Sequence, residues 1–388
     1  MENIMEKITR IKCDKIILKD SIISGYVYLK DGKISEVTYG ERPADVCYDF
    51  TGSYLAPAFI DTHTHGSGGF AFADSSPEEV IKGCDFMLAN GTVTVAPTIS
   101  AERIEIVERS VKYISEAKRS GKAKGHILGA HLEGPYLSAK QCGAQCPTFI
   151  TPPVYEDYKR ICETYGEDVV RWTYAPENDE DGKFCKFLTE RGVIASAGHT
   201  DATYDDMKLA IASGCNLVTH LYSCTSTITR SGGFRILGAT EAAYLHDELT
   251  AEMITDGRHL PPELIRMIVK CKGVDRVTAV TDSMPVAGVD IKEGVCCGTS
   301  FIVEEGVARL PDRSAFAGSI ATGNRLLRVL VSECGFSYPD ALKMLSLNAA
   351  KMHGLNKGEI KAGLDADLIV ITDSFKVSDV FVMGEKAI

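Results

Sequence analysis

Eight short apolar runs rich in β-branched residues follow one another from Leu55 onward, and seven of them finish in groups that can bind a metal or move a proton. The runs are YLAPAFIDTHTH, GTVTVAPTIS, GHILGAHLEGPY, VVRWTYAPEN, GVIASAGHT, CNLVTHLYS, LTAEMITDGRH and VTAVTDSMP. Their closing groups are His63 and His65, Glu133, Glu177, His199, His220, Asp256 with His259, and Asp282. Most intervening segments, such as PEEVIKGCDFMLANG, AERIEIVERSVKYISEAKRSGK and PPELIRMIVKCKG, have helical periodicity, and several end in the Gly common just past a helix. Strands alternating with helical crossovers build a parallel sheet, either a closed barrel or an open doubly wound sheet. Counting strands does not separate the two. The polar groups do, because (β/α)8 barrels carry their active sites at the C-terminal ends of the strands.

The expected fold class is therefore α/β, a (β/α)8 TIM-like barrel over residues 55–365. The ends of the chain read differently. DKIILKD, SGYVYLKDGKISEVTYG and CYDFTGSY near the start, with GLDADLIVITD and VSDVFVMGEKAI near the end, are short alternating strands between turns. They predict a small β-sandwich domain formed by both termini, residues 1–54 together with 366–388. Chain termini often lie close together, which makes such joining plausible.

The formal net charge is -11 with no long basic run, which argues against nucleic acid or an anionic membrane as the main partner. The 13 cysteines are scattered, with no CxxC pair; the closest are Cys142 with Cys146 and the adjacent Cys296 and Cys297. That usage suits free thiols in a reducing cytoplasm rather than a disulfide framework. The N-terminal residues show no apolar h-region, and no apolar run approaches a membrane span, so neither a signal peptide nor a membrane helix is expected. There is no Walker loop and no GxGxxG after a strand.

On a strand, residues i and i+2 face the same side, so His63 and His65 can converge on one ion. Glu133 ends a buried run, where a carboxylate needs a partner or a metal. His199 and His220 end successive strands of the same barrel and are read together as ligands. His131, two residues before Glu133, is read as a packed, hydrogen-bonded core histidine. Asp282 can ligate a metal, accept a proton from water, or both. Arg230, flanked by Ser and Gly in STITRSGG, suits either an anion-binding loop or a solvated surface. Glu177 and Asp256 are read as supporting or structural groups, and Cys224 as a residue of the site's mouth rather than a nucleophile.

With these residues in place, the chain resembles the N-acetylglucosamine-6-phosphate deacetylases of the amidohydrolase superfamily. PAFIDTHTHG, GAHLEGPYL, APEN, SAGHTDATYDD, THLYS, TDGRHLPP, VTDSMPVAG, FAGS and GLDADLIVI carry the likeness, from about Leu55 to the C-terminus. The resemblance implies that Glu133, His199 and His220 hold the principal divalent ion. His63 and His65 would complete a second site with Glu133 bridging, giving one or two ions per chain, zinc or iron. Asp282 would be the catalytic base and then acid, and also lie on the metal. His259 would contact the sugar and Arg230 the phosphate, often across the interface of a homodimer. The implied reaction releases acetate and glucosamine-6-phosphate from N-acetylglucosamine-6-phosphate, as part of amino-sugar catabolism.

Three segments depart from the family pattern. CGAQCP stands where a GxHNP-like segment is usual, placing Gln145 at a substrate-contacting histidine. THLYSCT replaces THLFNAM, so Ser223 and Cys224 stand at an Asn-Ala pair that helps bind phosphate. RSGG replaces REPG around Arg230. Two other readings follow. One is an amidohydrolase for a different N-acyl amino sugar, acyl-amino acid or cyclic amide. The other is a non-catalytic metal-binding sensor or scaffold, against which Asp282 argues.

Overall fold

The computed structural model describes residues 7–296 and 299–388; the first six residues of the expected terminal domain, and Cys297, lie outside the described residues. Eight parallel strands form the barrel: Phe59–Thr64, Thr92–Ile99, Ala130–Glu133, Val169–Tyr174, Ile194–Ala197, Leu217–Val218, Thr250–Ile254 and Val277–Val280. Each pairs with the next in chain order. The first and eighth meet at their C-terminal ends, where His65 N donates to Ser283 O at 2.8 Å and Asp282 N to His63 O at 2.9 Å. Thr281 Oγ1 donates across the same seam to Asp61 at 2.5 Å. The closure therefore lies beside two of the candidate site segments.

Helices cross between the strands where the periodicity predicts them. Pro77–Leu88 starts with a capping box between Ser76 and Glu79 and has Pro at its first position. Ile104–Ser120 buries Val107, Val111 and Ile114 on one face and ends at Gly121, whose φ of 63° is the left-handed conformation that favours glycine. These faces and the outer sides of the strands make the main core, with Trp172, Tyr174 and Phe184 packed edge to face.

The run YLAPAFIDTHTH divides between two sheets. Tyr54–Pro57 pairs antiparallel with Leu368–Ile371 and parallel with Lys15–Ile16, while Phe59–Thr64 enters the barrel. Residues 55–57, expected in the barrel, thus belong by pairing to the sheet of the termini. That sheet contains Thr9–Ile17, Ile22–Lys30, Lys33–Thr38, Val46–Asp49, Tyr54–Pro57, Leu368–Ile371, Val377–Val382 and Glu385–Lys386. Thr9–Ile17 pairs along one edge with both Val46–Asp49 and Tyr54–Pro57, and the folded sheet encloses Ile11, Val27, Leu55, Leu368 and Phe381.

Two elements were not expected. After the eighth barrel strand, Glu293–Cys296, Thr299–Glu304, Val307–Arg309 and Phe316–Gly318 form a meander with its own small core of Met284, Val286, Phe301 and Ala308. After the sixth, Thr229–Ser231 and Phe234–Ile236 form an exposed hairpin. Among the described residues no helix is long and apolar enough to cross a membrane.

Candidate active site

Glu133, almost wholly buried, stands at the centre of four imidazoles. Its Oε1 lies 2.9 Å from His220 Nε2, 3.1 Å from His199 Nε2 and 3.3 Å from His63 Nε2; its Oε2 lies 3.1 Å from His65 Nε2. Asp282 Oδ1 approaches His65 Nε2 at 3.2 Å and His63 Nε2 at 3.4 Å. The ligand atoms fall into two groups, His63 with His65 and Asp282, and His63 with Glu133 and His220. Strand ends from around the barrel bring these groups to one point, and the alternation of the first strand aims both His63 and His65 inward.

Three of these residues have strained backbones. His199, His220 and Asp282 have φ of 45°, 27° and 45°, values that non-glycine residues rarely adopt. Each is the turn at which a strand hands over to its loop, and the strain lies where side chains must point at the common centre.

The donor set suits a divalent cation. His63 Nε2 is buried and close to two carboxylates, yet it is aligned for a hydrogen bond to neither. Nitrogen and oxygen donors in this combination are those that zinc and similar ions take. Burial opposes a charge on His63 and His65, but Asp282 and Glu133 outweigh it and raise them to about 9 and about 10. Burial likewise favours the neutral acid at Asp282, but His63 and His65 hold its carboxyl well below the usual range. Asp282 is thus a carboxylate.

The ligand histidines are oriented from behind. His65 Nδ1 meets Ser100 Oγ at 3.0 Å, His199 Nδ1 donates to Gln141 O at 2.9 Å, and His63 Nδ1 meets Glu252 Oε1 at 2.9 Å. Ser100, Glu252 and its partner Arg171 were not singled out in the sequence. A signal was present for two of them: an Arg in VVRWTY and a Glu in LTAEMI sit inside buried runs, where each charge demands a partner. His131 is a core residue as read, bonded to Thr98 Oγ1 at 3.1 Å and Thr173 Oγ1 at 2.7 Å, and burial keeps it well below its ordinary pKa.

A cavity of about 290 Å³ opens above the centre. Gln145, Ser223, Cys224 and His259 line it with Glu133 and Asp282. His259 Nδ1 is held by Asp256 at 2.9 Å, and its ring packs on Phe316 from the meander. Glu177 accepts from Thr200 Oγ1 and Asp201 N and so ties down the loop after His199. Cys224 Sγ packs so closely on Gly143 that a Cβ there would stand 2.5 Å away. Arg230 is not brought to this cavity by its own chain; it sits on the exposed hairpin with Ile228 and Phe234, themselves 52% and 77% exposed.

The model of the Amidohydrolase family matches residues 54–387. An N-acetylglucosamine-6-phosphate deacetylase from Bacillus subtilis (strain 168) is 33% identical over 379 residues, 95% of this chain and 94% of that protein. An N-acetylgalactosamine-6-phosphate deacetylase from Escherichia coli O157:H7 is 26% identical over 337 residues, 86% and 87% of the two chains. A solved Mycobacterium smegmatis N-acetyl-D-glucosamine-6-phosphate deacetylase, a mutant in complex with N-acetyl-D-glucosamine-6-phosphate, superposes with a TM-score of 0.92 at 29% identity, covering 98% of this chain and all of that one.

Proposed function

The chain belongs to the amidohydrolase family and, within it, to the N-acetylglucosamine-6-phosphate deacetylases; from this premise we propose that it hydrolyses N-acetylglucosamine-6-phosphate to glucosamine-6-phosphate and acetate, in amino-sugar catabolism. The observation that carries the reading is the convergence of four imidazoles and Asp282 on Glu133 at the floor of a cavity. Glu133, His199 and His220 would hold the principal ion, and His63 and His65 with Glu133 a second, zinc or iron. When bound, such an ion lowers the pKa of water and polarises the amide carbonyl.

The protein's own groups then do the following. Asp282, a carboxylate at neutral pH, accepts the proton of the attacking water and returns it to the amine nitrogen as the C–N bond breaks. His259, with Nδ1 committed to Asp256, keeps Nε2 for the sugar. Ser223, Cys224 and Gln145 shape the wall around the substrate. Arg230, on its exposed hairpin, would reach the phosphate bound by a second copy of the chain, with a homodimer as the working unit; its absence from the cavity of its own chain supports this reading. Thirteen scattered cysteines suit a reducing cytoplasm.

The test is amine release from N-acetylglucosamine-6-phosphate, N-acetylgalactosamine-6-phosphate, their unphosphorylated forms and a panel of other N-acyl compounds. Turnover confined to one of the others would replace the substrate and leave the reaction class. That second reading is favoured by Gln145, Ser223 and Cys224 in the cavity wall. No turnover on any amide, with tight metal binding, would favour a sensor or scaffold.

A further inference from the structure

Beneath the site, the barrel interior is polar where layers of apolar side chains are usual. Arg171, wholly buried on the fourth strand, pairs with the equally buried Glu252 on the seventh. It also donates to Ser196 Oγ at 3.0 Å and Thr219 Oγ1 at 2.8 Å. Thr173 Oγ1 lies 2.8 Å from Ser196 Oγ, 3.0 Å from Thr219 Oγ1 and 2.7 Å from His131 Nε2. His131 continues to Thr98 Oγ1, which accepts from Thr64 N at 2.9 Å. One hydrogen-bonded layer thus runs through the first seven strands.

Glu252 is the point at which this layer meets the metal-site histidines. Its Oε1 accepts from His63 Nδ1 at 2.9 Å, His220 N at 3.1 Å and Arg171 Nη2 at 3.1 Å. A carboxylate only accepts, so the imidazole must carry a proton on Nδ1 and present Nε2 to Glu133 and Asp282. The guanidinium contacts both carboxylate oxygens, which stops the group from turning away. A buried ion pair adds little net stability over apolar packing, so its effect is better sought in position than in folding.

Building on the metal-site reading above, we propose that Glu252, clamped by Arg171, is a positioning residue that sets the Nδ1–H tautomer of His63 and locks His63 on the first strand to His220 just past the end of the sixth. The two parts of the metal site are then held as one unit. Loss of such a supporting contact lowers affinity for the ion that His63 helps to hold by about 10- to 100-fold.

The test uses the full chain loaded with zinc. Zinc per chain and its affinity, by competition with a chelator, are measured for the parent, Glu252→Gln and the charge-neutral double variant Arg171→Gln with Glu252→Gln. Two-bond 1H–15N spectra of the parent with labelled histidine report the His63 tautomer, assigned with His63→Ala. The expected results are a protonated Nδ1 on His63 in the parent and, in each variant that folds, the 10- to 100-fold loss for one ion with zinc retained through Glu133, His199 and His220. A folded variant with unchanged zinc number and affinity overturns the proposal. So does a parent His63 without a proton on Nδ1, a result that holds even if both variants fail to fold. A parent that binds no zinc or other divalent ion overturns the metal-site reading itself, and the two failures are thereby told apart.

Discussion

Gln145 Nε2 donates to Glu133 Oε2 over 2.7 Å while its Oε1 accepts from Ala101 N over 2.9 Å. The residue expected to face substrate therefore has both ends of its amide engaged by the protein, one of them on the central carboxylate. Gln145→Ala would leave Glu133 Oε2 with His65 but without this amide donor. A hydrogen bond to a charged group contributes roughly 1.5–3 kcal/mol, about ten- to a hundredfold in an equilibrium. The expected outcome is a loss of that order in zinc affinity with KM for the sugar phosphate changed only slightly. A raised KM with unchanged zinc affinity would return Gln145 to the substrate subsite.

The barrel was legible because its strands are apolar runs with reactive groups at one end, a pattern that only a shared C-terminal face explains. His63 and His65 could be paired from the two-residue alternation alone. Glu252 and Arg171 could not: their importance lies in a contact between the fourth and seventh strands, 81 residues apart, which no local period encodes. The division of YLAPAFIDTHTH was hidden because the run is unbroken by any polar or glycine residue from Leu55 to Ile60, and the break falls inside it at Ala58, whose N donates to Asp367 O beside the terminal sheet. The meander was missed for a different reason. Its strands are short, two of them only three residues long, with a core of only a few residues, so periodicity there is weak.

Asp282 is held as a carboxylate beside His63 and His65. Asp282→Asn keeps the shape but cannot accept a proton from water. The expected loss in kcat is on the order of 10³-fold or more, with zinc content nearly unchanged. Elemental analysis alongside turnover checks both halves. A variant that keeps most of its kcat would place the base elsewhere.

Removing the metal should make stability depend on pH in a particular direction. In the chelated protein His63 and His65 are raised from 6.5 to about 9 and about 10, with burial opposing and Asp282 and Glu133 outweighing it. Folded pKa values above the unfolded value give stability that is complete below about pH 6.5 and is lost as pH rises through 9 to 10. A bound ion takes the place of those protons and grows tighter as they leave. Melting temperatures of chelated and loaded protein should therefore diverge between neutral and alkaline pH. A gap that stays constant across that range would show that these two histidines do not exchange protons for metal.

The last prediction concerns the phosphate. The cavity wall has Ser223, Cys224 and Gln145, and among the described residues no Lys or Arg lines it, so it offers little positive charge to an anion. Arg230 could supply that charge, but in its own chain it lies on an exposed strand, paired with Arg235 of the same hairpin and away from the cavity. Beside it, Ile228 and Phe234 expose apolar surface that a second copy could cover. If the hairpin delivers Arg230 to a neighbour's cavity, phosphate preference is a property of the assembly. Arg230→Ala should then lower kcat/KM for N-acetylglucosamine-6-phosphate by about ten- to a hundredfold, the size of one charge-assisted contact, and leave the unphosphoried sugar nearly unaffected. Phe234→Asp, which puts a charge on the apolar face, should yield monomers by sedimentation with the same selective loss. Mixing inactive Asp282→Asn chains with Arg230→Ala chains should restore part of the preference, because a mixed pair contains one cavity with both Asp282 and a partner's arginine. An unchanged preference in Arg230→Ala, or a monomeric Phe234→Asp that still discriminates fully, would mean that the phosphate is recognised by groups within one chain.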